Sequence, residues 1–247
     1  MSGERTEHDG REMWSYGDAG DEIPVSDGDI WGLGDHEIAC GDIHRGSWQA
    51  MVDRHGSPDI LYVDIPWRPQ DEASYRTKAG LDPADADFKS LVINIVMALN
   101  TDTRHLFIET SRSTAFHVIE LVEKHYHAEF QSAWGTLWYE DLRGELLYFG
   151  PANFGKSAYS GTEDIHQTSY AIELVLDWED EHGTGSEEIE TVADPCSGKM
   201  GMTCQGAIRT DRRFFGTELH PRRLARSLRN IADVYGLEIT RVAEDAV

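Results

Sequence analysis

The sequence predicts an α/β fold with a mainly parallel sheet, helices on both faces and an antiparallel hairpin at one edge. Three observations carry that prediction. From Ile30 onward, short β-type runs alternate with helical stretches, the order in which strand–helix–strand units are built. The run "ILYVD" at 60–64 is apolar until its last residue, as a strand covered on both faces would be. Two β-type runs flank 140–144, close enough in the chain to pair as a hairpin.

Taken in order, residues 1–28 are rich in Gly, Asp, Glu and Ser without a sustained period, and read as a mobile arm. Residues 29–247 read as one domain. Strands are expected at 36–40, 60–64, 105–109, 128–137, 145–149, 189–194 and 213–218, where β-type runs are bounded by turn residues. Helices are expected at 47–55, 84–100, 113–127, 168–182, 202–210 and 221–236. Two connections, 68–83 and 150–167, are longer than a compact domain usually needs. The first holds Arg68, Tyr75, Arg76 and Lys78, the second Phe154, Lys156 and Tyr159. Rings and cations together suit a nucleic-acid strand, and equally a solvated loop.

Composition narrows the setting. The chain has 247 residues, with 45 acidic against 22 basic side chains and a net charge of −23. Lysines are scarce: Lys78, Lys89, Lys124, Lys156 and Lys199. An acidic, lysine-poor surface fits a high-salt cytoplasm as well as an ordinary acidic protein. In molar salt the Debye length is about 3 Å, so this charge does not exclude a nucleic-acid partner. No apolar run approaches the roughly 18 residues of a membrane span, and no signal peptide opens the chain, so a cytoplasmic location without membrane contact is expected. Cys40, Cys196 and Cys204 fit reduced thiols, and the eleven histidines show no metal-ligand spacing.

Three strand ends are candidates for chemistry. "LYVDIPWRP" ends an apolar run in Asp64, followed by Ile65, Pro66 and Trp67. "VADPCSGKMGMT" ends a β-run in Asp194 and Pro195, then turns through Gly198 and Gly201 into a helix. Glycines there let a backbone approach a ligand closely, and the helix N-terminus offers free N–H groups. "FFGTELHP" ends a further strand in Glu218, about 20 residues past Gly198, the place of an acid that grips ribose hydroxyls. The glycines do not spell GxGxxG, and a tight turn alone would also require them. Asp64 and Trp67, likewise, fit a strand terminus and a packed ring as well as a reactive site.

In this order, these blocks resemble the S-adenosylmethionine-dependent amino-methyltransferases that act on exocyclic base nitrogens of DNA. "GDIWGLGDHEIACGD" resembles the N-terminal block of phage and plasmid members, "VDIPW" their catalytic Asp-Pro-Pro-aromatic tetrapeptide, and "VADPCSGKMGMT" with "FFGTELHP" their cofactor loop and acidic strand end. The resemblance spans residues 29–232, in the permuted order with the catalytic motif first. Ile65 replaces the family's first proline, and the glycine loop is one residue longer than usual.

The resemblance implies a Rossmann-like fold, S-adenosyl-L-methionine as cofactor and DNA as partner. Asp64 and the Ile65 carbonyl would accept the two hydrogens of a base amine, Pro66 would hold that carbonyl, and Trp67 would stack on a flipped base. The cofactor would lie against Asp42, Ser169, Asp194, Pro195, Gly198, Gly201 and Glu218, with Thr168 beside Ser169; Asp42 also reads as a simple turn acid. Adenine N6 of DNA is the favoured target, with cytosine N4 of DNA, adenine N6 of RNA and a non-catalytic cofactor-binding subunit as alternatives. A homodimer or a partner subunit stays open. Arg209, Arg212, Arg213, Arg222, Arg223, Arg226 and Arg229 cluster near the C-terminus, facing phosphates or only solvent.

Overall fold

The computed structural model describes residues 5–8, 11–14, 23–99, 103–126, 130–138, 142–152, 154, 167–183 and 185–243. Lys156, Tyr159 and most of the expected arm lie outside them. Within the arm, β1 (Arg5–His8) and β2 (Arg11–Trp14) pair antiparallel with each other. From Ile23, which is buried in the core, the chain belongs to the main body.

Nine strands form one sheet: β3 (Ile30–Leu33), β4 (His36–Cys40), β5 (Ile60–Asp64), β6 (His105–Ser111), β7 (Phe130–Trp138), β8 (Leu142–Phe149), β9 (Thr191–Asp194), β10 (Arg213–Glu218) and β11 (Ile239–Ala243). Their spatial order is β11-β3-β4-β10-β9-β5-β6-β8-β7. The five central strands, β4 to β6 in that order, are parallel. Both flanks are antiparallel, β11–β3–β4 on one side and β6–β8–β7 on the other. The expectation of a mainly parallel sheet with one antiparallel edge is therefore corrected to a parallel centre between two antiparallel edges. The reason is local: a two-residue turn at Gly34 and Asp35 joins β3 to β4, and so short a link allows only antiparallel pairing.

The helices are α1 (Ser47–His55), α2 (Pro69–Lys78), α3 (Phe88–Met97), α4 (Ala115–Tyr126), α5 (Gln167–His182), α6 (Met202–Arg209) and α7 (Pro221–Tyr235). Two apolar clusters separate them into layers. Ala171, Ile172 and Val175 of α5, Ala207 of α6 and Leu228 of α7 pack on one face, and Trp48, Leu91 and Val118 of α1, α3 and α4 on the other. Along β5 the alternation of a strand divides Ile60 and Tyr62 from Leu61 and Val63 between the two clusters. Burying each large aliphatic side chain contributes about 1.5–3 kcal/mol.

Residues 68–83 correct a second expectation, because they are not a long loop. Pro69 starts α2 at its first position, and Asp71 and Glu72 follow in the first turn, where carboxylates complement the helix dipole. The helix expected from residue 84 starts at Phe88, because the Asp87 side chain accepts from Ser90 N at 3.1 Å and caps it there.

The topology also locates a crevice. β9 leads through α6 to β10 on one side, while β5 leads through α3 to β6 on the other. β5 and β9 pair only through Ile60–Val192 and Leu61–Ala193, so their carboxyl ends part beyond those residues. Such a switch point opens a binding crevice at the carboxyl edge of an α/β sheet.

Candidate active site

A cavity of about 810 Å³ fills that crevice. Asp64, Ile65, Pro66 and Trp67 enter it from the end of β5, Asp194, Pro195 and Gly198 from the end of β9, Glu218 from β10 and Asp42 from the loop after β4. Thr168 lines it too. Residues separated by up to 176 positions converge here because the parallel strands all end on one edge.

Two expected residues do not line the cavity. Ser169 is buried beside α6, its Oγ 3.3 Å from where a Cβ on Gly206 would stand. Gly201 begins α6 with φ at 57°, and a Cβ on it would run into Ser227 and stand 2.6 Å from Ile231 Cδ1 of α7. Its glycine serves close packing of two helices. Gly198, with φ at 66°, is the glycine of this turn that borders the cavity; the nearest atom to a Cβ there is Arg223 Nη2 at 3.5 Å.

The carboxylates differ in their surroundings. Trp67 Nε1 donates to Asp64 Oδ1 at 3.1 Å, joining the two side chains of the tetrapeptide. Asp64 lines the cavity with an exposed side chain, and the protein packed around it pushes its pKa up to about 6, with the Trp67 bond and Arg223 acting in the opposite direction. Asp194 is buried; Thr203 Oγ1 donates to its Oδ2 at 2.6 Å and Cys196 N to its Oδ1 at 2.8 Å. Burial pushes its pKa up to about 7 against those two hydrogen bonds, and the charges of Asp64 and Glu218 add to the rise. Glu218 Oε1 accepts from His220 N at 2.9 Å, and Arg223 Nε stands 3.8 Å from its Oε2.

Asp42 is heavily engaged. It caps the short turn that follows it by accepting from His44 N at 3.0 Å, and its Oδ2 accepts from buried Arg76 Nη1 at 2.9 Å. Ile65 has its side chain buried in the α1/α3/α4 cluster, which gives an isoleucine a packing role that proline would fill less well.

Sequence reasoning misses Glu72 and reads Tyr75, Arg76 and Arg223 only as candidate nucleic-acid contacts, without placing them on this cavity. Glu72 goes unassigned because the pattern of 68–83 reads as a loop rather than as α2. Tyr75 of α2 and Arg223 of α7 face each other across the cavity, the guanidinium 5.0 Å from the ring centre. Of the C-terminal arginines, Arg223 reaches the cavity, whereas Arg212 donates to the backbone oxygens of Thr210, Asp211 and Ser186. Arg223 stands two residues after the proline that starts α7, a position that separates it from the other arginines of its cluster.

No protein-family model matches the chain, and no curated protein matches it. Solved structures with a similar course of the chain include the M1.HpyAVI–SAM complex, at 14% identity and a TM-score of 0.49 over 78% of this chain and 98% of that one. A second is TTHA0409 from Thermus thermophilus, described as a DNA modification methylase, at 15% identity and a TM-score of 0.47 over 80% and 95%. A third is the PvuII DNA methyltransferase (cytosine-N4-specific), at 13% identity and a TM-score of 0.44 over 83% and 92%. At such values the activity of this chain has to be argued from its own site.

Proposed function

We propose that this chain methylates an exocyclic amino group of a DNA base, adenine N6 in first place, with S-adenosyl-L-methionine as cofactor. One observation carries the reading: the Asp-Ile-Pro-Trp strand end and the acidic ends of β9 and β10 border a single cavity.

The residues present fit that cofactor. Along the carboxyl edge stand Asp194, Glu218 and the Asp42 loop, on adjacent strands about 4.8 Å apart. Glu218 suits a pair of ribose hydroxyls, and Gly198 leaves room for backbone approach. Acidic walls favour a cationic guest. The bound cofactor supplies an electrophilic methyl group on a sulfonium.

The chain's own residues prepare the acceptor. An aromatic exocyclic amine is a weak nucleophile, since its lone pair is delocalised into the ring. Asp64 accepts one of its hydrogens and the Ile65 carbonyl the other, which favours a pyramidal nitrogen with an exposed lone pair. Pro66 holds Ile65 in an extended conformation. As the nitrogen gains a bond to carbon it becomes more acidic, and Asp64, its pKa raised to about 6, takes the departing proton. Trp67, tied to Asp64, offers its face to a base turned out of the duplex.

Cytosine N4 of DNA and adenine N6 of RNA present the same pair of hydrogens to the same acceptors. Transfer of a labelled methyl group to unmodified DNA and to RNA, followed by nucleoside analysis, tests the reading. Label in N6-methyladenine from DNA is the expected result. Cofactor binding without transfer to any nucleic acid would leave a non-catalytic cofactor-binding subunit, and no cofactor binding would end the reading.

A further inference from the structure

The lip of the cavity at the end of β6 presents an aromatic ring to solvent. Phe116, in the first turn of α4, is 72% exposed, the highest value for a large apolar side chain among the described residues. Scattered apolar side chains are ordinary on a surface, so exposure alone assigns nothing. The place of this one is the informative part. Ser111, Arg112 and Ser113, just before α4, line the cavity. Helical side chains lean toward the helix N-terminus, so Phe116 covers the turn at Arg112 and Ser113. That turn is fastened to the Asp-Ile-Pro-Trp strand end: Thr114 Oγ1 donates to the Trp67 carbonyl at 3.0 Å and meets Ser111 Oγ at 2.7 Å.

Charge and strand order indicate what lies on that lip. Arg112 is largely exposed, its Nε 3.6 Å from Glu145 Oε1, and Arg68, also exposed, borders the same cavity. In a chain of net charge −23, two exposed guanidiniums beside an exposed ring suit a phosphate-linked strand, whose phosphates pair with cations and whose bases stack on rings. Asp194 and Glu218 stand on β9 and β10, to one side of Asp64, whereas β6 flanks β5 on the other. A strand that delivers its base to Asp64 therefore has the β6 lip open to it. When that base turns out of a duplex, its neighbour loses a stacking partner. We propose that Phe116 replaces that partner, stacking on the base next to the target, with Arg112 on the phosphate between them. This rests on the nucleic-acid reading above and adds a DNA-positioning surface to it.

Methyl transfer measured against DNA concentration, on wild type, Phe116→Ala, Phe116→Leu, Phe116→Trp and Arg112→Gln, tests it, with thermal melts and cofactor calorimetry alongside. Phe116→Ala should raise the DNA concentration for half-maximal transfer by about 5- to 150-fold, the usual worth of one stacked base. Its rate at saturating DNA, its melting temperature and its affinity for S-adenosylhomocysteine should stay near wild type, since the ring is exposed and on the far side of Asp64 from the cofactor. Phe116→Trp should match wild type or better it, whereas Phe116→Leu, apolar but without a π-face, should resemble Phe116→Ala. Arg112→Gln should flatten the slope of log half-maximal concentration against log salt by about one. An unchanged half-maximal concentration in folded Phe116→Ala, or equal function of the Leu and Trp variants, overturns the stacking role; an unchanged salt slope in Arg112→Gln overturns the phosphate contact. In those cases transfer by wild type leaves the methyltransferase reading standing; folded wild type that transfers to no nucleic acid removes both.

Discussion

The two edges of the sheet use carboxylates in opposite ways. At the amino edge, Asp59 Oδ2 accepts from Glu190 N, Thr191 N and Thr191 Oγ1, all at 2.9 Å, and joins β5 to β9. Glu179 of α5 accepts from His105 Nε2 at 2.9 Å and pairs with Arg104 at 2.8 Å, while His105 Nδ1 meets the Tyr148 hydroxyl at 2.9 Å. Burial lowers the pKa of His105 more than Glu179 raises it. At the carboxyl edge, Asp64 opens into the cavity and Glu72 keeps one oxygen without a donor among the described residues. The residue type is the same. What separates bracing from chemistry is how completely the protein itself supplies the donors.

The largest expected effect breaks the carboxyl edge. Asp64→Ala should lower methyl transfer by about 10²- to 10³-fold, the usual loss for a preplaced group acting on the transition state. Cofactor affinity should change little, which calorimetry would show, since the cofactor contacts lie on other strands. Near wild-type transfer would return Asp64 to the role of a strand terminus. Trp67→Ala comes next. Loss of stacking is worth about 1–3 kcal/mol, so transfer at low DNA concentration should fall about 5- to 150-fold and recover in part at high DNA.

Glu179→Gln tests the amino edge. It should destabilise the protein by about 1–3 kcal/mol, seen in denaturant melts, because Arg104 and His105 lose a charged acceptor. Transfer per folded molecule should not change. A large loss of turnover at full stability would contradict the division between the edges.

Asp194 sharpens the comparison through pH. Its pKa rises from 3.8 to about 7 on folding, so the folded state holds this proton more tightly than the unfolded chain. The stability it contributes is complete below about pH 4 and is lost as pH rises through about 7. Asn at this position does not titrate. The melting temperature of Asp194→Asn relative to wild type should therefore climb by several degrees from about pH 5 to about pH 8. A constant difference would mean that Asp194 ionises normally. The smallest effect belongs to Ile65→Pro, which keeps the carbonyl but empties part of a packed site. Transfer should stay within a few-fold of wild type, and the melting temperature should fall by a few degrees.

Much of the scaffold is legible in the residue pattern alone. β4, β5 and β10 run between the residues expected from their patterns, and α1 does likewise. The acids at the ends of β5, β9 and β10 stand out as well, because an apolar run stopping at a carboxylate is a local contrast. β3 and β11 escape such reading because neither alternates: β3 is buried throughout with a glycine inside it, and residues 239–242 of β11 include none that is buried. α2 escapes it because only Glu72 and Arg76 of its ten residues are buried, so no apolar stripe marks it.

The sequence by itself determined which segments are strands or helices where burial is periodic, and which strands end in acids. Only the tertiary structure decided that β9 lies between β10 and β5, that Arg76 takes up Asp42, and that Gly198 rather than Gly201 borders the cavity. The physical reason is range. Periodicity and capping act over a few residues and are written in neighbouring letters. The place of β9 beside β5 and the convergence of Glu218 with Asp64 depend instead on pairing and packing between segments more than a hundred residues apart.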